Sequence, residues 1–370
     1  VPLPLSVSLK LVDKFADRIE KQLAVSTIRS GRQLQVFGPQ NNVQEALKLL
    51  QKYLAPFVSS SQSDRPYQIP LFPLASPPDV PKPGPGALLK PSENGFEIEL
   101  KPLPDDEARD PIQTTLHSQL LRRVTRLESA ISRIQNSNAE LYAEFKDYTA
   151  LLSKTLSDMD VASLWSSGAA LREIIEAHEP ERIVQSMTEP LEPVLLAQLR
   201  SLVRDHQAFC DGFAVGRELR DRVTRQREAH RSPDELTNQS RPAIDAMLHT
   251  DGLLASRAMH LLSALHRASG TLDSVTLSTA VACSETARNA ALSIGRVLYT
   301  IVTSKVTVVA VPLIGVDPST LAAAMTLFRE HAPQLLALGV HDPHLREFLE
   351  WTVSAVANRM GREVQEKFDS

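Results

Sequence analysis

The chain is predicted to be mainly α-helical, with a small N-terminal βαββα module, a proline-rich linker, and a large C-terminal helical domain that opens with a long coiled-coil-like helix. Three observations predict this. Residues 5–55 switch between alternating and helical periodicity. Residues 56–111 hold about half of the 25 prolines. From Pro111 onward, apolar residues recur at helical spacing almost to the end. The predicted limits are therefore 1–55, 56–111 and 112–370.

Composition sets the frame. Apolar residues make up 42% of 370, enough for a core in each of two or three domains. Charged residues at 23% and a net charge of -4 give no global sign of nucleic-acid or anionic-membrane binding. Aromatic residues are scarce, so helices should pack on Ala, Leu and Val. Cys210 and Cys283 stand far apart and read as buried, reduced thiols of a cytoplasmic protein, with neither a disulfide framework nor a metal cluster. The numbered start, Val-Pro-Leu-Pro-Leu, shows no basic n-region or small-residue cleavage site, so no signal peptide is expected.

In the N-terminal module, Leu5, Val7, Leu9 and Leu11 alternate with polar residues as in a half-buried strand. Asp13 is placed to cap a helix bearing Phe15, Ile19 and Leu23 on one face. A hairpin follows: Ser26 to Arg29, a turn at Ser30-Gly31, then Gln33 to Phe37. After Gly38-Pro39, Val43, Ala46, Leu47, Leu50 and Leu54 share the face of a second helix. In the linker, Pro81-Lys82-Pro83-Gly84-Pro85-Gly86 excludes helix, while Phe96 to Leu100 alternates as a lone strand in need of a sheet edge. Breaks in the helical domain are expected near Asp158, Pro180, Asp211-Gly212, Pro233, Gly270, Pro312 to Pro318, and His341 to Pro343.

A long heptad helix is expected at about 115–157. Leu120, Val124, Leu127, Ile131, Ile134, Asn138, Leu141, Phe145, Tyr148 and Leu152 follow one another at alternating spacings of four and three. Val124, Ile131, Asn138, Phe145 and Leu152 then occupy a, with Leu127, Ile134, Leu141 and Tyr148 at d. A lone Asn at a fixes register between two parallel copies, so these ten residues are the expected oligomerisation surface and a homodimer the expected state. Packing of the same stripe against later helices of the chain is the competing reading, because it shows nearly the same period.

No phosphate loop and no nucleophile elbow is present. In His341-Asp342-Pro343-His344 the proline breaks the helix that would align two metal ligands. Glu173, Glu176, His178, Glu179 and Glu181 read as a solvated helix end, and the Arg217–Arg231 stretch, diluted by acids, as a solvated face. His249, His260 and His266 lack ligand spacing. No catalytic residue, metal or cofactor is expected, and whether the chain is an enzyme is left open, leaning towards not.

Two features rise above this background. Residues 1–55 carry eight Lys or Arg against four Asp or Glu, while the remainder is negative. That split points to an anionic partner and makes Arg29, Arg32 and Lys48 the candidate nucleic-acid contacts. The segments Ile19 to Leu23, Gly31 to Gly38 and Val43 to Leu50 resemble the KH-like module at the front of bacterial RNA-related ATPases of the PhoH type. The resemblance covers about 50 residues and implies a fold. The Gly-x-x-Gly loop that clamps a nucleic-acid backbone is absent. No ATPase motif follows, so ATP hydrolysis is not implied.

The second feature is Val297 to Val316, an apolar run of bilayer length interrupted by Lys305 and Pro312. It reads as a core helix of a bundle or, alternatively, as a membrane-associated segment. The function expected from all of this is that of a non-enzymatic interaction or scaffold protein that self-associates through its helical domain. The alternatives are a membrane-associated effector acting through 297–316 and a nucleic-acid-binding protein acting through the basic module.

Overall fold

The computed structural model describes residues 26–30, 33–37, 42, 76–179, 190–270, 275–303 and 316–368, with the side chains of the first ten and of residues 359–368 left aside. The chain forms two compact units, Val1–Leu71 and Phe72–Ser370.

In the first unit the hairpin forms as the sequence predicts. Strands β1 (Ser26–Ser30) and β2 (Gln33–Phe37) pair antiparallel, with Ser30 opposite Gln33 and Arg29 opposite Leu34. Asn42 is helical. The expected first strand, both module helices beyond Asn42, Arg32 and Lys48 fall outside the described residues.

The second unit is mainly helical, and the unit boundary places most of the proline-rich stretch, from Phe72 onward, inside it. Strands β3 (Leu89–Ser92) and β4 (Gly95–Ile98) form an antiparallel hairpin. The lone strand expected at Phe96 thus has β3 on one side. On the other, the Phe96 N–H donates to the Leu253 carbonyl at 2.7 Å and the Ala255 N–H to the Phe96 carbonyl at 2.9 Å. Gly95 turns the hairpin at φ 113, where an added Cβ would stand 2.9 Å from the Ala255 nitrogen. Only glycine meets both demands.

Twelve α-helices follow among the described residues: α1 (Asp105–Ala108), α2 (Pro111–Arg133), α3 (Ala139–Leu152), α4 (Val161–Ala177), α5 (Pro193–Cys210), α6 (Ala214–Glu228), α7 (Pro233–Leu248), α8 (Ser256–Ala268), α9 (Leu277–Thr303), α10 (Pro318–Glu330), α11 (Ala332–Ala337) and α12 (Pro343–Phe368). Proline at the first helical position starts many of them, where its missing N–H costs nothing. Asp110 caps α2 by accepting from the Ile112 N–H at 2.8 Å, and Ser232 caps α7 by accepting from the Glu235 N–H at 3.1 Å. The expected breaks near Asp158, Asp211, Pro233, Gly270, Pro318 and Pro343 are present. Helix α9 lies at the centre, packed by α4, α6, α7, α8, α10, α12 and β3.

The single helix over 115–157 does not form. It ends at Arg133, and α3 starts at Ala139 after a turn through Gln135-Asn136-Ser137-Asn138. Four polar residues in a row, two of them Asn, favour turn geometry over continued helix. The Asn138 N–H closes that turn on the Ile134 carbonyl at 2.8 Å. The chain then doubles back, because His117 near the start of α2 reaches the Leu152 carbonyl at the end of α3, at 2.7 Å. Leu120, Val124, Leu127, Ile131, Leu141, Phe145, Tyr148 and Leu152 are all buried within this one chain, while Ile134 and Asn138 are partly covered at the turn. Intrachain packing therefore takes up the stripe read as an oligomerisation surface.

The proline-rich residues 78–86 form a strap along α9. Tyr299 Oη donates to the Pro78 carbonyl at 3.3 Å and Arg296 Nη2 to the Pro81 carbonyl at 2.6 Å. Asn289 takes the next step with its whole amide: Oδ1 accepts from the Gly84 N–H at 2.9 Å, and Nδ2 donates to the Gly84 and Gly86 carbonyls at 3.1 and 2.8 Å. A proline segment makes no hydrogen bonds to itself, so its carbonyls need such outside donors. Asn289→Ala is expected to destabilise the unit by roughly 2 kcal/mol, since it strands three backbone groups in a buried place. Amide exchange should quicken at Gly84 in the same variant. Unchanged exchange there would show that Asn289 does not hold the strap.

Among the described residues, no helix is long and apolar enough to cross a membrane. The start of the 297–316 run lies in α9, with Val297, Leu298 and Ile301 buried. Residues 304–315 lie outside the described residues.

Candidate functional site

Helices α3, α4 and α8 and the end of β4 line a half-open cavity of about 180 Å³. Ile98 and Leu100 close one side, Ala150 and Leu151 another, and Leu261 and Ala264 reach in from α8. These apolar walls surround a polar line contributed by α3 and α4: Glu144, Asp147, Ser163 and Ser167. Lys154, Arg257 and His260 complete the lining, the last two exposed.

The helical period explains how the polar line arises. Ser163 and Ser167 are one turn apart on α4, a helix whose buried residues are mostly apolar. Glu144 precedes Phe145 of the buried stripe on α3, so it is carried inward with it. Ser167 Oγ donates to Glu144 Oε1 at 3.0 Å. Ser163 Oγ donates to Asp160, at the head of α4.

Glu144 is fully buried. Its Oε2 accepts no hydrogen bond, and the nearest cation is Arg267 Nη2 at 3.9 Å. Burial, with help from the nearby Asp147 charge, pushes the Glu144 carboxyl up to about 7, against the lowering pull of Ser167. Asp160 is raised in the same direction by burial, partly offset by Ser163. At neutral pH, Glu144 thus exchanges readily between a carboxylate acceptor and a carboxylic acid.

A second polar group is packed solid. Tyr148 Oη lies 3.2 Å from His206 Nδ1, and Cys210 Sγ sits 3.7 Å from the same ring. Burial pushes the Cys210 thiol far up and holds His206 down at about 3. Arg172 adds to the lowering of His206. A protonated thiol beside a neutral, enclosed imidazole offers no nucleophile. Cys283 is likewise buried, its thiol pushed up to about 12 by burial. Both cysteines are free, as the sequence predicts.

The other residues singled out from sequence are placed as follows. Arg29 lies on β1 of the first unit. The helix end at Glu173 is not solvated throughout: Glu173 is buried and accepts from the Thr276 N–H at 3.1 Å and from Thr279 Oγ1 at 3.0 Å. A reading of charge alone misses these two donors, which lie about 100 residues away in sequence. On the basic stretch, Arg217, Arg220 and Arg222 pair with Glu107, Asp211 and Glu285. His341 bonds Glu235 at 3.0 Å. No group of three or more His, Cys, Asp or Glu able to hold a metal occurs among the described residues.

The cavity itself was missed in the sequence because four separated segments, around residues 98–100, 144–154, 163–167 and 257–264, supply it. The available signal was small: two serines at a spacing of four in an apolar helix, and an acid beside the buried stripe. Comparison with known proteins adds no neighbour, since no family model, curated protein or solved structure matches the chain.

Proposed function

We propose that the helical unit is a non-enzymatic binding module that holds a small molecule in the cavity between α3, α4 and α8. One observation carries this reading: Glu144, which lines the cavity, keeps a fully buried carboxylate oxygen, Oε2, without a hydrogen-bond donor. Leaving such an atom unsatisfied costs about 1–3 kcal/mol, a cost that a ligand donor removes on binding. Apolar walls with a few convergent polar groups are the usual make-up of a ligand site. Interaction rather than catalysis remains the reading, now with the partner inside a cavity and not along a helix seam.

The test is stabilisation by fragments. Aromatic fragments of about six to nine non-hydrogen atoms match the cavity, because a hole of ~150 Å³ holds benzene. At tenfold excess over Kd, such a fragment should raise Tm by about 2 °C or more. Ala264→Phe, which fills the cavity from α8, should abolish the shift. Fragments that stabilise neither protein, or both equally, would remove the cavity as the binding site.

A further inference from the structure

Resting on that reading, we infer that the cavity's ligand is a small primary amine on an apolar or aromatic body, with its ammonium group on Glu144 Oε2. The lining carries two acids, Glu144 and Asp147, both from α3, and two bases, Lys154 and Arg257, and of these four only Glu144 is fully buried. Arg267, the cation nearest Glu144 Oε2, is shared with Glu140, which lies 3.8 Å from its Nε, and is itself half-exposed. Lys154 acts on Asp160 at the head of α4, while Arg257 stands exposed in the lining. A carboxylate in that position lacks a close, buried counter-charge.

An ammonium group supplies what is missing. It brings a positive charge and up to three donors in a compact shape. One donor satisfies Oε2, and the hydroxyl of Ser167 stays on Oε1, where it already is. Ser163 and Asp147, in the same lining, offer acceptor oxygens for the other donors. The remaining wall is hydrocarbon from Ile98, Leu261 and Ala264 and accepts a body of the size of a benzene ring. A carboxylate ligand would bring like charge to Glu144, and an uncharged hydrocarbon would leave Oε2 as it is.

Titration calorimetry of the full chain with benzylamine, benzyl alcohol and benzoate tests this. Benzylamine should bind about tenfold or more tightly than benzyl alcohol, the value of a charge-assisted hydrogen bond over a neutral one, and benzoate should be weakest. Glu144→Gln should erase the benzylamine preference and leave benzyl alcohol within about twofold, since the amide keeps size and an acceptor. Independently of any variant, the Glu144 side-chain carboxyl carbon resonance should move on adding benzylamine. Equal binding of benzylamine and benzyl alcohol overturns the amine assignment and leaves the cavity as a site. A preference that survives Glu144→Gln, or a Glu144 resonance that does not move, overturns it too. Failure of all three probes to bind overturns both the assignment and the cavity reading.

Discussion

Gly168→Ala is expected to destabilise the helical unit by about 3 kcal/mol, although alanine is the better helix former by about 1 kcal/mol. Gly168 lies inside α4, where glycine has no conformational task. Its task is space: a Cβ there would stand 2.0 Å from His206 Nε2 and 2.5 Å from two ring carbons. The imidazole has nowhere to retreat, because it is buried, stacked edge-on against Tyr148 and bonded to its hydroxyl. Overpacking alone costs roughly 1–3 kcal/mol. Displacing the ring also strands the Tyr148 hydroxyl, which is worth about 1–3 kcal/mol more in a buried place. Denaturant unfolding of the four-member cycle with His206→Ala measures this directly. In the His206→Ala background the same glycine substitution should become neutral or mildly stabilising, a coupling of at least about 2 kcal/mol. Additive costs would show that the ring and the glycine do not compete for one space.

The parts of this fold that were legible in the sequence are those set by local chemistry. Pro233, Pro318 and Pro343 mark helix starts because a proline ring is compatible with the first turn and with little else in a helix. The β1–β2 hairpin was legible from two alternating arms, although Ser30, read as part of the turn, pairs with Gln33 as the last residue of β1. The stripe from Leu120 to Leu152 was legible as buried, but its partner was not. Heptad spacing reports that one face is covered and is silent on what covers it. The turn at Gln135 to Asn138 keeps the stripe in phase on both helices while ending the helix between them. Asn138 therefore flanks α3 at its start, at the turn between the two helices.

Two features were hidden for a different reason. The strap from Pro78 to Gly86 has the composition of a free linker, and its docking depends on Asn289, Arg296 and Tyr299, more than 200 residues away in sequence. The cavity likewise depends on segments brought together only by the packing of α3, α4 and α8. Polar residues in α4 and α9 sit at core positions that hydrophobic periodicity treats as exceptions. Ser167 and Asn289 are informative once their partners are known, and ordinary small or polar residues before that.

Glu144→Gln should stabilise the unit at pH 8 by on the order of 3 kcal/mol more than it does at pH 4.5. The carboxyl ionises at its ordinary value of 4.5 in the unfolded chain and at about 7 in the folded one, chiefly because burial disfavours its charged form. Between those values the folded chain holds a proton that the unfolded chain has released. Stability from this group is therefore fully present below pH 4.5, falls as pH rises, and has reached its floor a little above pH 7. At about 1.4 kcal/mol per pH unit, the interval sets the size of the effect, as an upper figure. Glutamine carries no such slope and keeps an oxygen for the Ser167 hydroxyl. Asp160, Glu173 and Glu285, all raised by burial, slope the same way in both proteins, and His206, lowered by burial, slopes the opposite way in both. The difference between the two proteins cancels these four and isolates Glu144. Urea unfolding of each at pH 4.5, 6 and 8 provides the comparison. A difference that stays flat with pH would mean that the Glu144 carboxyl ionises in the folded chain as freely as in water, through hydration of Oε2 from the cavity.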